Sequence, residues 1–571
     1  MPRLHSTAER PSGRGARLAG WRLWAVRLAL VVGGPALFFG VLEGGLRVCG
    51  YGARTTFFVK TADGAHFTTN AAFCAQFFPA DVELQPWPAL LPARKAAGTL
   101  RIFVLGESAA MGTPDPSFGF ARILELMLRR AYPARRFEVV NAAVRGINSH
   151  IILPIARECA EHEPDLFVIY AGNNEMTGLY APEPGMLNLT PHRRLLRLAT
   201  RVKMTKSAQL LRSLARRLRP APVEARQDMP FFRERRIAAD DPRRADIAEN
   251  FRANLCDICR IALASRAHAV LSTVAVNLRD CPPLASLHRA DLSPADAVRW
   301  EARYAEGVAA ETSGALELAA DRYRAAAALD DHFAELHFRL ARCTAGDPLA
   351  AYAAARDWDA LPFRADARIN DAVRAVARGF DGSALALADA ERVFAESAGG
   401  APGDALFYEH VHLRFEGDYL LARTFFPRVV AGLGLGASDA ALPSPAECQA
   451  ALGLSDWDTL DMEAAIAQLT GSPPFLDQLD HAARQARAAR AVQERVSHFT
   501  PEDMRRAAEV CGTAVKMNPD DWQLHFIRGR TLYVFGNFAE AVPHLEFAVR
   551  AAPDFALPRL LLEECRRKVS H

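Results

Sequence analysis

The sequence predicts an α/β fold in which helices cover both faces of a parallel β-sheet, with further all-α segments added to it. Three observations predict this fold. Apolar runs of strand length alternate with amphipathic stretches over residues 98–280, small and polar residues follow those runs, and helical spacing dominates much of the remaining chain. With 571 residues, 50% of them hydrophobic, the chain can bury the large core that this fold class requires.

Four runs have the composition of buried strands, and two stretches between them have helical spacing. The strand runs are 101–105 (RIFVL), 136–144 (RFEVVNAAV), 165–175 (DLFVIYAGNNE) and 266–276 (RAHAVLSTVAV). The helical stretches are 120–132 and 149–163. This alternation indicates parallel strands joined by crossover helices, and ligands bind such sheets at the carboxyl ends of the strands.

The charge balance and the cysteines exclude several classes of protein. The chain has 69 basic and 66 acidic residues, so no global field favours nucleic acid, and we expect no nucleic-acid partner. Ten scattered cysteines form no disulfide framework. Cys256 and Cys259 have no accompanying ligands at zinc spacing, so we expect them to pack on a helix, and we expect neither a metal nor a cofactor.

The N-terminus predicts a single-pass membrane anchor. Residues 1–27 are rich in arginine, and an uncharged run follows from Leu28 to Leu42. As a helix this run rises about 22 Å, short of the roughly 30 Å hydrocarbon core, and flanking residues extend it to a predicted anchor over 25–48. Arg27 and Arg47 can extend from its two ends to polar surroundings. The alternative is a cleaved signal peptide, but no small-x-small cleavage site follows. The positive charge before the span predicts an inner-membrane protein whose remaining chain is periplasmic or otherwise extracytoplasmic.

Small and polar residues follow three of the predicted strands. They are Gly106-Glu107-Ser108, Gly146 with Asn148, and Gly172-Asn173-Asn174-Glu175. A serine nucleophile needs hydrogen-bond donors for a developing oxyanion, and it needs a general base. The backbone N–H groups of Ser108 and Gly146 and the side-chain amide of Asn174 are the candidate donors.

A candidate base lies far downstream, in residues 404–422 (DALFYEHVHLRFEGDYLLA). Glu409 and His412 are three positions apart, so one turn of chain can bring both side chains to the same site, where the carboxylate orients the imidazole. His410 is the alternative base, with a less favourable phase relative to Glu409. Each motif taken singly also fits a helix cap, a turn or a surface pair, whereas their joint order favours a catalytic site.

Together these blocks resemble the SGNH, or GDSL-like, hydrolase family. The matching segments are Gly106-Glu107-Ser108 with its Gly-Asp-Ser block, Gly146 with its second-block glycine, residues 172–175 with its Gly-x-Asn-Asp block, and residues 409–412 with its Asp-x-x-His block. The resemblance covers residues 98–280 and 400–425. It implies a flavodoxin-like sheet, with Ser108 as nucleophile, His412 as base and Glu409 as its orienting acid. It also implies an oxyanion hole formed by Ser108, Gly146 and Asn174.

The sequence departs from the family pattern at three acidic positions. Glutamate stands in place of aspartate at Glu107, Glu175 and Glu409, and whether Glu409 or a main-chain carbonyl bonds the base stays open. The further candidates for the substrate cleft are Glu107, Asn148, Asn173, Glu175, Arg279 and His410.

Two helical regions resemble tetratricopeptide repeats. Residues 314–343 contain two amphipathic stretches around an Asp-Asp turn, and Pro519 and Pro553 lie 34 positions apart, which is the period of that repeat. Residues 529–549 follow its small-residue and aromatic pattern. Stacked repeats would offer a concave surface to a protein partner. The alternative is that these helices only cover the α/β core.

A basic stretch interrupts the α/β region between its third and fourth strands. Residues 193–219 contain ten arginines and lysines and no acid, with leucines and a valine roughly along one face. Such a helix suits an anionic membrane surface, a lid near the site, or a solvated face packed on the domain.

These interpretations give a predicted organisation and function. The segments are a basic cytoplasmic N-terminus (1–27), an anchor (25–48), a joining segment (50–97), the first part of the hydrolase-like domain (98–295), an inserted helical region (296–398), the completion of that domain (399–430), a helical connector (431–500) and C-terminal repeats (501–571). We expect a membrane-anchored serine esterase or acyltransferase acting on a small-molecule or polymer ester, with O-acyl groups of envelope polysaccharide preferred. The alternative is a scaffold of an envelope-assembly complex with a vestigial site.

Overall fold

The computed structural model describes residues 24–78, 84–181, 190–218, 236–346, 348–380, 382 and 384–570. The chain divides into two compact units, which are Met1–Thr55 with Arg201–Pro222, and Thr56–Thr200 with Val223–His571. The strands are β1 (Phe58–Lys60), β2 (His66–Thr69), β3 (Leu90–Pro92), β4 (Thr99–Gly106), β5 (Arg136–Asn141), β6 (Leu166–Tyr170), β7 (His268–Ser272) and β8 (Leu385–Ala388).

The helices follow the same order along the chain. Up to residue 312 they are α1 (Trp24–Val48), α2 (Ser108–Met111), α3 (Phe120–Ala131), α4 (Ser149–Ala160), α5 (Arg193–Lys203), α6 (Lys206–Leu218), α7 (Pro242–Ala264) and α8 (Pro294–Thr312). The next are α9 (Leu316–Ala327), α10 (Ala334–Cys343), α11 (Leu349–Asp357), α12 (Ala367–Arg378), α13 (Ala390–Ser397) and α14 (Phe415–Gly432). The last are α15 (Pro445–Leu452), α16 (Asp456–Thr470), α17 (His481–Ser497), α18 (Pro501–Met517), α19 (Trp522–Val534), α20 (Phe538–Ala551) and α21 (Ala556–Val569).

The smaller unit pairs a long apolar helix with a short basic one. Within the described residues, α1 is the one helix that is long and apolar enough to cross a membrane, and its most apolar window is entirely exposed. The basic helix α6 packs against α1, because Glu43 of α1 accepts hydrogen bonds from the backbone N–H groups of Lys206 and Ser207. Length and composition therefore agree with the predicted anchor.

Five parallel strands form the central sheet of the larger unit, in the order β5-β4-β6-β7-β8. This is the 2-1-3-4-5 order of flavodoxin-like sheets. The strands β4 and β6 lie inside the sheet and are buried along almost their whole length, which explains their continuous apolar sequences. Helices α3 and α14 form one layer against the sheet, and α4, α7 and α12 form another. The predicted parallel α/β architecture is confirmed.

The fifth strand lies in a segment that the sequence assigned to a helical insertion. Leu385–Ala388 pairs with β7 at the edge of the sheet, with Ala388 opposite Ser272. Its sequence, LALA, is four residues long and lacks β-branched side chains, so its pattern gives no strand signal. The range 296–398 is therefore not wholly helical, and its last part completes the sheet.

The predicted joining segment is folded rather than extended. Strands β1, β2 and β3 form a small antiparallel sheet. The rings of Phe57 and Phe73 lie 5.1 Å apart, edge to face, and Phe58 contacts Phe103 of β4. Glu158 of α4 accepts hydrogen bonds from the backbone N–H groups of Phe57 and Phe58. This segment is thus packed on the α/β core.

Paired helices occupy both regions in which the sequence predicted repeats. Around the Asp-Asp turn, α9 and α10 pack on α8 through Trp300 and Tyr323. Near the C-terminus, α19 begins at Trp522 and α21 begins at Ala556, again 34 positions apart. The helical hairpins match the expected spacing, and their assignment to the tetratricopeptide family stays a prediction.

The C-terminal helices are joined to the α/β core by ion pairs. Arg530 of α19 lies 2.9 Å from Asp115 and 2.9 Å from Asp458, and the Asp458 side chain is completely buried. Arg122 of α3 pairs with Asp521 at 2.6 Å. The C-terminal helices are therefore held to the core by charged side chains that are largely buried.

Replacing Arg530 tests this connection. We expect Arg530→Met to keep most of the side-chain volume but to leave two buried carboxylates unpaired, which lowers the free energy of unfolding by about 3 kcal/mol. Arg550→Met is the matched control, because the Arg550 side chain is 68% exposed, and its effect should stay within about 0.5 kcal/mol. Chemical denaturation of both variants and the parent measures the difference, and equal losses would contradict a structural role for the Arg530 pairs.

Candidate active site

Ser108 lies directly after the central strand β4 and begins the short helix α2. Gly106 ends the strand, and a Cβ at this position would overlap the Tyr170 carbonyl oxygen and the Ala110 side chain. Only glycine therefore permits this close approach of β4 and β6 beside the serine. Ser108 itself is half-buried, as a group that must meet a substrate should be.

Glu107 connects the end of β4 to the loop after β6. Its side chain is 2% exposed, and its two oxygens accept hydrogen bonds from the backbone N–H groups of Gly172 (3.2 Å) and Asn174 (3.1 Å). Burial raises the pKa of Glu107 well above its usual range, and the neighbouring Glu175 carboxylate adds to this effect. Glu107 was a candidate for the substrate cleft, and in the structure it is a buried brace between two strand ends.

Glu175 connects the same loop to the start of α4. It accepts hydrogen bonds from the backbone N–H of Ser149 at 2.6 Å and from the Ser149 hydroxyl at 2.9 Å. Burial raises the pKa of Glu175 to about 7. Glu175, also a candidate cleft residue, is 3% exposed, and like Glu107 it holds backbone segments in place.

The three asparagines of these loops also bond the main chain. Asn174 donates from its side-chain nitrogen to the Ile147 carbonyl at 3.0 Å, next to Gly146. The amide has a second hydrogen, so one donor remains for a substrate oxygen. Asn148 donates to the Leu179 carbonyl, and the Asn173 side chain accepts from the backbone of Ala365; both asparagines are buried.

Gly146 has the backbone conformation that its predicted role requires. Its φ is +73°, in the left-handed region that favours glycine. A Cβ at this position would lie 3.0 Å from Leu84 Cδ1. The N–H of Gly146 therefore sits in a turn that any other residue would strain, between Asn174 and the start of α4.

Glu409 and His412 lie in a loop before α14, not on a helix. The Glu409 side chain accepts hydrogen bonds from the backbone N–H groups of His410 and His412, each at 2.8 Å. His412 Nδ1 lies 2.5 Å from Glu409 Oε1, and His410 Nδ1 contacts the other carboxylate oxygen. The turn that brings acid and base together is thus closed by the carboxylate itself.

His412 has the features of a general base. Its Nδ1 lies 2.5 Å from Glu409 Oε1, and both ring nitrogens are buried without a hydrogen-bond partner of good geometry in the described part of the chain. Burial lowers the pKa of His412 to about 4, and the nearby charge of Arg145 acts in the same direction. In the neutral tautomer that carries its hydrogen on Nδ1, the nitrogen nearer to Glu409, Nε2 is an acceptor at neutral pH.

His410 is as buried as His412 and has aromatic neighbours. Burial lowers its pKa well below the usual range, and the charges of His412 and Arg364 add to this effect. Its ring packs edge to face on Phe475 at 5.3 Å and on Phe363 at 6.2 Å. These contacts favour a role in holding the Glu409 carboxylate over direct contact with a substrate.

Arg145 is a functional candidate that sequence reasoning missed. It is exposed, directly precedes Gly146, and acts electrostatically on His412. Its position next to the second-block glycine was the available signal. Arg279, by contrast, donates a hydrogen bond to its neighbour Asp280 and lies against Gly403. Gly403 begins the loop of residues 403–414 that contains Glu409 and His412, called here the histidine loop.

The donor atoms of Glu409, His410 and His412 lie within 4.8 Å of one another, so by donor type they match a zinc ligand set. Both Glu409 oxygens, however, already accept backbone N–H groups, and both Nδ1 atoms face the carboxylate. The arrangement is accounted for as a carboxylate that orients two imidazoles, and we continue to expect no metal.

No family model matches the sequence, and no curated protein sequence matches it. Among solved structures, the chain is similar to a catalytic mutant of an acetylxylan esterase from Geobacillus stearothermophilus. The identity is 13%, the TM-score is 0.28, and the match covers 60% of this chain and 98% of the esterase chain. A likeness this low carries no argument, so the fold and the site rest on the geometry described above.

Removing the Glu107 carboxylate tests its role as a brace. In Glu107→Ala, the buried N–H groups of Gly172 and Asn174 lose their acceptors, and we expect the free energy of unfolding to fall by about 3 kcal/mol. Glu161→Ala, at an exposed glutamate that ends α4, is the matched control and should change it little. Chemical denaturation measures both. A Glu107 variant as stable as the control would show that the loop is held by other contacts.

Proposed function

We propose that the protein is a membrane-anchored SGNH-type serine esterase or acyltransferase with a Ser108-His412-Glu409 catalytic group. One observation carries the proposal: a buried histidine has Nδ1 against a carboxylate and an unpartnered Nε2, in the loop that precedes α14. Three further loops at the carboxyl edge of the sheet supply a serine and oxyanion donors, and buried carboxylates join these loops to one another. If His412 and Glu409 were only a surface ion pair, their side chains would be exposed to solvent, whereas both are buried.

In the proposed reaction, the Ser108 hydroxyl oxygen attacks the carbonyl carbon of an ester while its proton passes to His412 Nε2. The resulting oxyanion accepts hydrogen bonds from the N–H groups of Ser108 and Gly146 and from the Asn174 amide. Collapse breaks the bond to the alcohol, which leaves with the proton from His412. Water or an acceptor hydroxyl then attacks the acyl-serine with His412 again as base, and this releases the acid or a new ester.

The anchor guides the choice of substrate. If α1 spans the inner membrane with its arginine-rich end in the cytoplasm, the catalytic unit faces the envelope. O-acyl groups of an envelope polysaccharide are therefore the substrate that we propose. Hydrolysis and transfer use the same acyl-serine intermediate and differ in which hydroxyl reaches it.

A fluorophosphonate probe tests the activated serine in the full-length chain held in nanodiscs. We expect labelling of the parent, none of Ser108→Ala, and labelling of His412→Ala that is at least about a hundredfold slower. Ser265→Ala, at a half-buried serine directly after α7, is the matched control and should label like the parent. A folded parent that does not label would overturn the proposal, and labelling retained in Ser108→Ala would assign it to another serine.

The low pKa of His412 makes the pH profile diagnostic. Because burial lowers this pKa to about 4, the imidazole stays neutral as the pH falls through the ordinary range near 6.5. We expect the rate constant of labelling to stay level down to about pH 5 and to fall below about pH 4. An inflection near pH 6.5 would contradict this assignment.

Arg145→Gln provides the matched variant for that profile. Loss of the positive charge beside His412 favours the protonated imidazole, so the inflection should move to higher pH. A control change at a distant exposed arginine, Arg550→Gln, should leave the profile unchanged. Equal profiles in all three proteins would show that Arg145 does not act on the base.

A second candidate function is favoured by the C-terminal helices. A groove of about 520 Å³ lies along α18, α19 and the start of α20. Its lining combines apolar side chains such as Met504 and Phe535 with charged ones such as Lys516 and Glu540. Such a groove fits a protein segment and so supports the scaffold alternative. A protein that does not label, and whose cellular function survives Ser108→Ala but not substitution in this groove, would favour the scaffold.

A further inference from the structure

The basic helix α6 is fixed to the membrane-facing helix α1 by a single carboxylate. Glu43 accepts hydrogen bonds from the backbone N–H groups of Lys206 (3.1 Å) and Ser207 (2.8 Å) and from the Ser207 hydroxyl (2.9 Å). Arg47, one turn later on α1, donates to the same carboxylate at 2.8 Å. The first turn of α6 is therefore held at Glu43.

The position of Glu43 sets the depth of α6. Glu43 lies five residues before Val48, where α1 ends, and five residues of helix rise about 7.5 Å. A carboxylate is costly in the hydrocarbon core, and here it is paired and hydrogen-bonded near the end of the span. This places the start of α6 within the interfacial region, where amphipathic helices bury their apolar face about 5–10 Å deep.

One face of α6 holds the segment that leaves the membrane. Lys206 Nζ donates to the Ala53 carbonyl at 2.6 Å, Gln209 donates to the same carbonyl at 3.1 Å, and Ser213 shares a hydrogen bond with Tyr51 at 3.0 Å. Positions 206, 209 and 213 follow the three- and four-residue spacing of a single helix face. The axis of α6 is thereby fixed along residues 51–53.

A different face of α6 is apolar and exposed. Leu211, Leu214 and Leu218 repeat at three- and four-residue spacing and are 52%, 44% and 82% exposed. Arg216 and Arg217 lie among them in sequence and are also exposed. The helix contains no acidic residue. With three exposed leucines on one side of the helix and exposed arginines toward the other, α6 is amphipathic in the way that suits the boundary of an anionic bilayer.

We propose that α6 is an interfacial helix that docks on the same bilayer that α1 crosses, with its leucines at the acyl boundary and its arginines on phosphate-bearing anionic headgroups. The proposal rests on the membrane anchor that we propose for α1, but it does not depend on the esterase activity. It implies that the protein contacts the membrane at two places, through the span and through α6, and that it discriminates between lipid headgroups.

Amide hydrogen exchange tests the proposal on the full-length chain. The protein is placed in nanodiscs of phosphatidylcholine alone or of phosphatidylcholine with phosphatidylglycerol, and exchange of residues 206–218 is followed. We expect exchange in this range to be about tenfold slower in the anionic discs. Equal exchange in the two lipids would overturn the headgroup assignment. So would equal slowing by inorganic phosphate added to the zwitterionic discs, because this would point to an ion site without a membrane.

Matched variants separate charge from apolar contact. Arg216→Glu/Arg217→Glu and Leu211→Ser/Leu214→Ser should each abolish the slowing, since the first reverses the charges that meet the headgroups and the second removes the apolar contact. The control is Arg487→Glu/Arg490→Glu, which makes the same change of charge on exposed positions of the basic helix α17 and should keep the slowing. Slowing that persists in the α6 variants, or that is lost in the control, would overturn the proposal. Labelling of Ser108 is measured in the same samples and reports separately on the catalytic site.

Discussion

The candidate site depends on buried carboxylates that accept backbone N–H groups. Glu107 reaches from the end of β4 to the loop after β6, Glu175 reaches from that loop to the start of α4, and Glu409 closes its own loop. Irregular chain at the end of a strand leaves donors unpaired, and each such donor costs roughly 1–3 kcal/mol when it is buried. The carboxylates supply the missing acceptors. The loops that carry the serine and the oxyanion donors are therefore bound to one another, and not only to the strands.

Burial also shifts the pKa values of the side chains that hold these loops together. The pKa of Glu175 is raised to about 7, above its unfolded value, with Glu107 shifted in the same direction beside it. A group of this kind contributes stability that is fully present below its unfolded pKa and is lost as the pH rises through about 7. His412 has the opposite behaviour, because its pKa is lowered and its neutral form is the one that the folded site favours. Burial thus disfavours the charged form of each of these side chains, the two glutamates and the histidine.

Much of the central fold could be predicted because most of its strands are apolar runs that alternate with amphipathic stretches. The runs that became β4 and β6 are buried on both faces, so composition alone marked them. The sequence of β8 gives no comparable strand signal, since β8 is a four-residue edge strand whose side chains are mostly only partly buried. The loop around Glu409 was expected only as one turn of chain. Its geometry follows from hydrogen bonds between a side chain and the backbone, which no periodicity reports. Arg145 was missed although it directly precedes Gly146, because a single exposed arginine has no periodic pattern.

The long interruption before the histidine loop is explained by what the intervening chain contributes. Residues 296–398 supply an edge strand of the sheet and the helix α12, whose Asn370 donates to the Val274 carbonyl and accepts from the Val274 N–H after β7. Beyond the loop, Arg530 reaches Asp115, which follows the helix that Ser108 begins. The helical additions thus support the strand ends from two sides. A displacement of α19 would break buried ion pairs, and so the C-terminal helices act as part of the structure that positions the serine segment, whichever substrate or partner they meet.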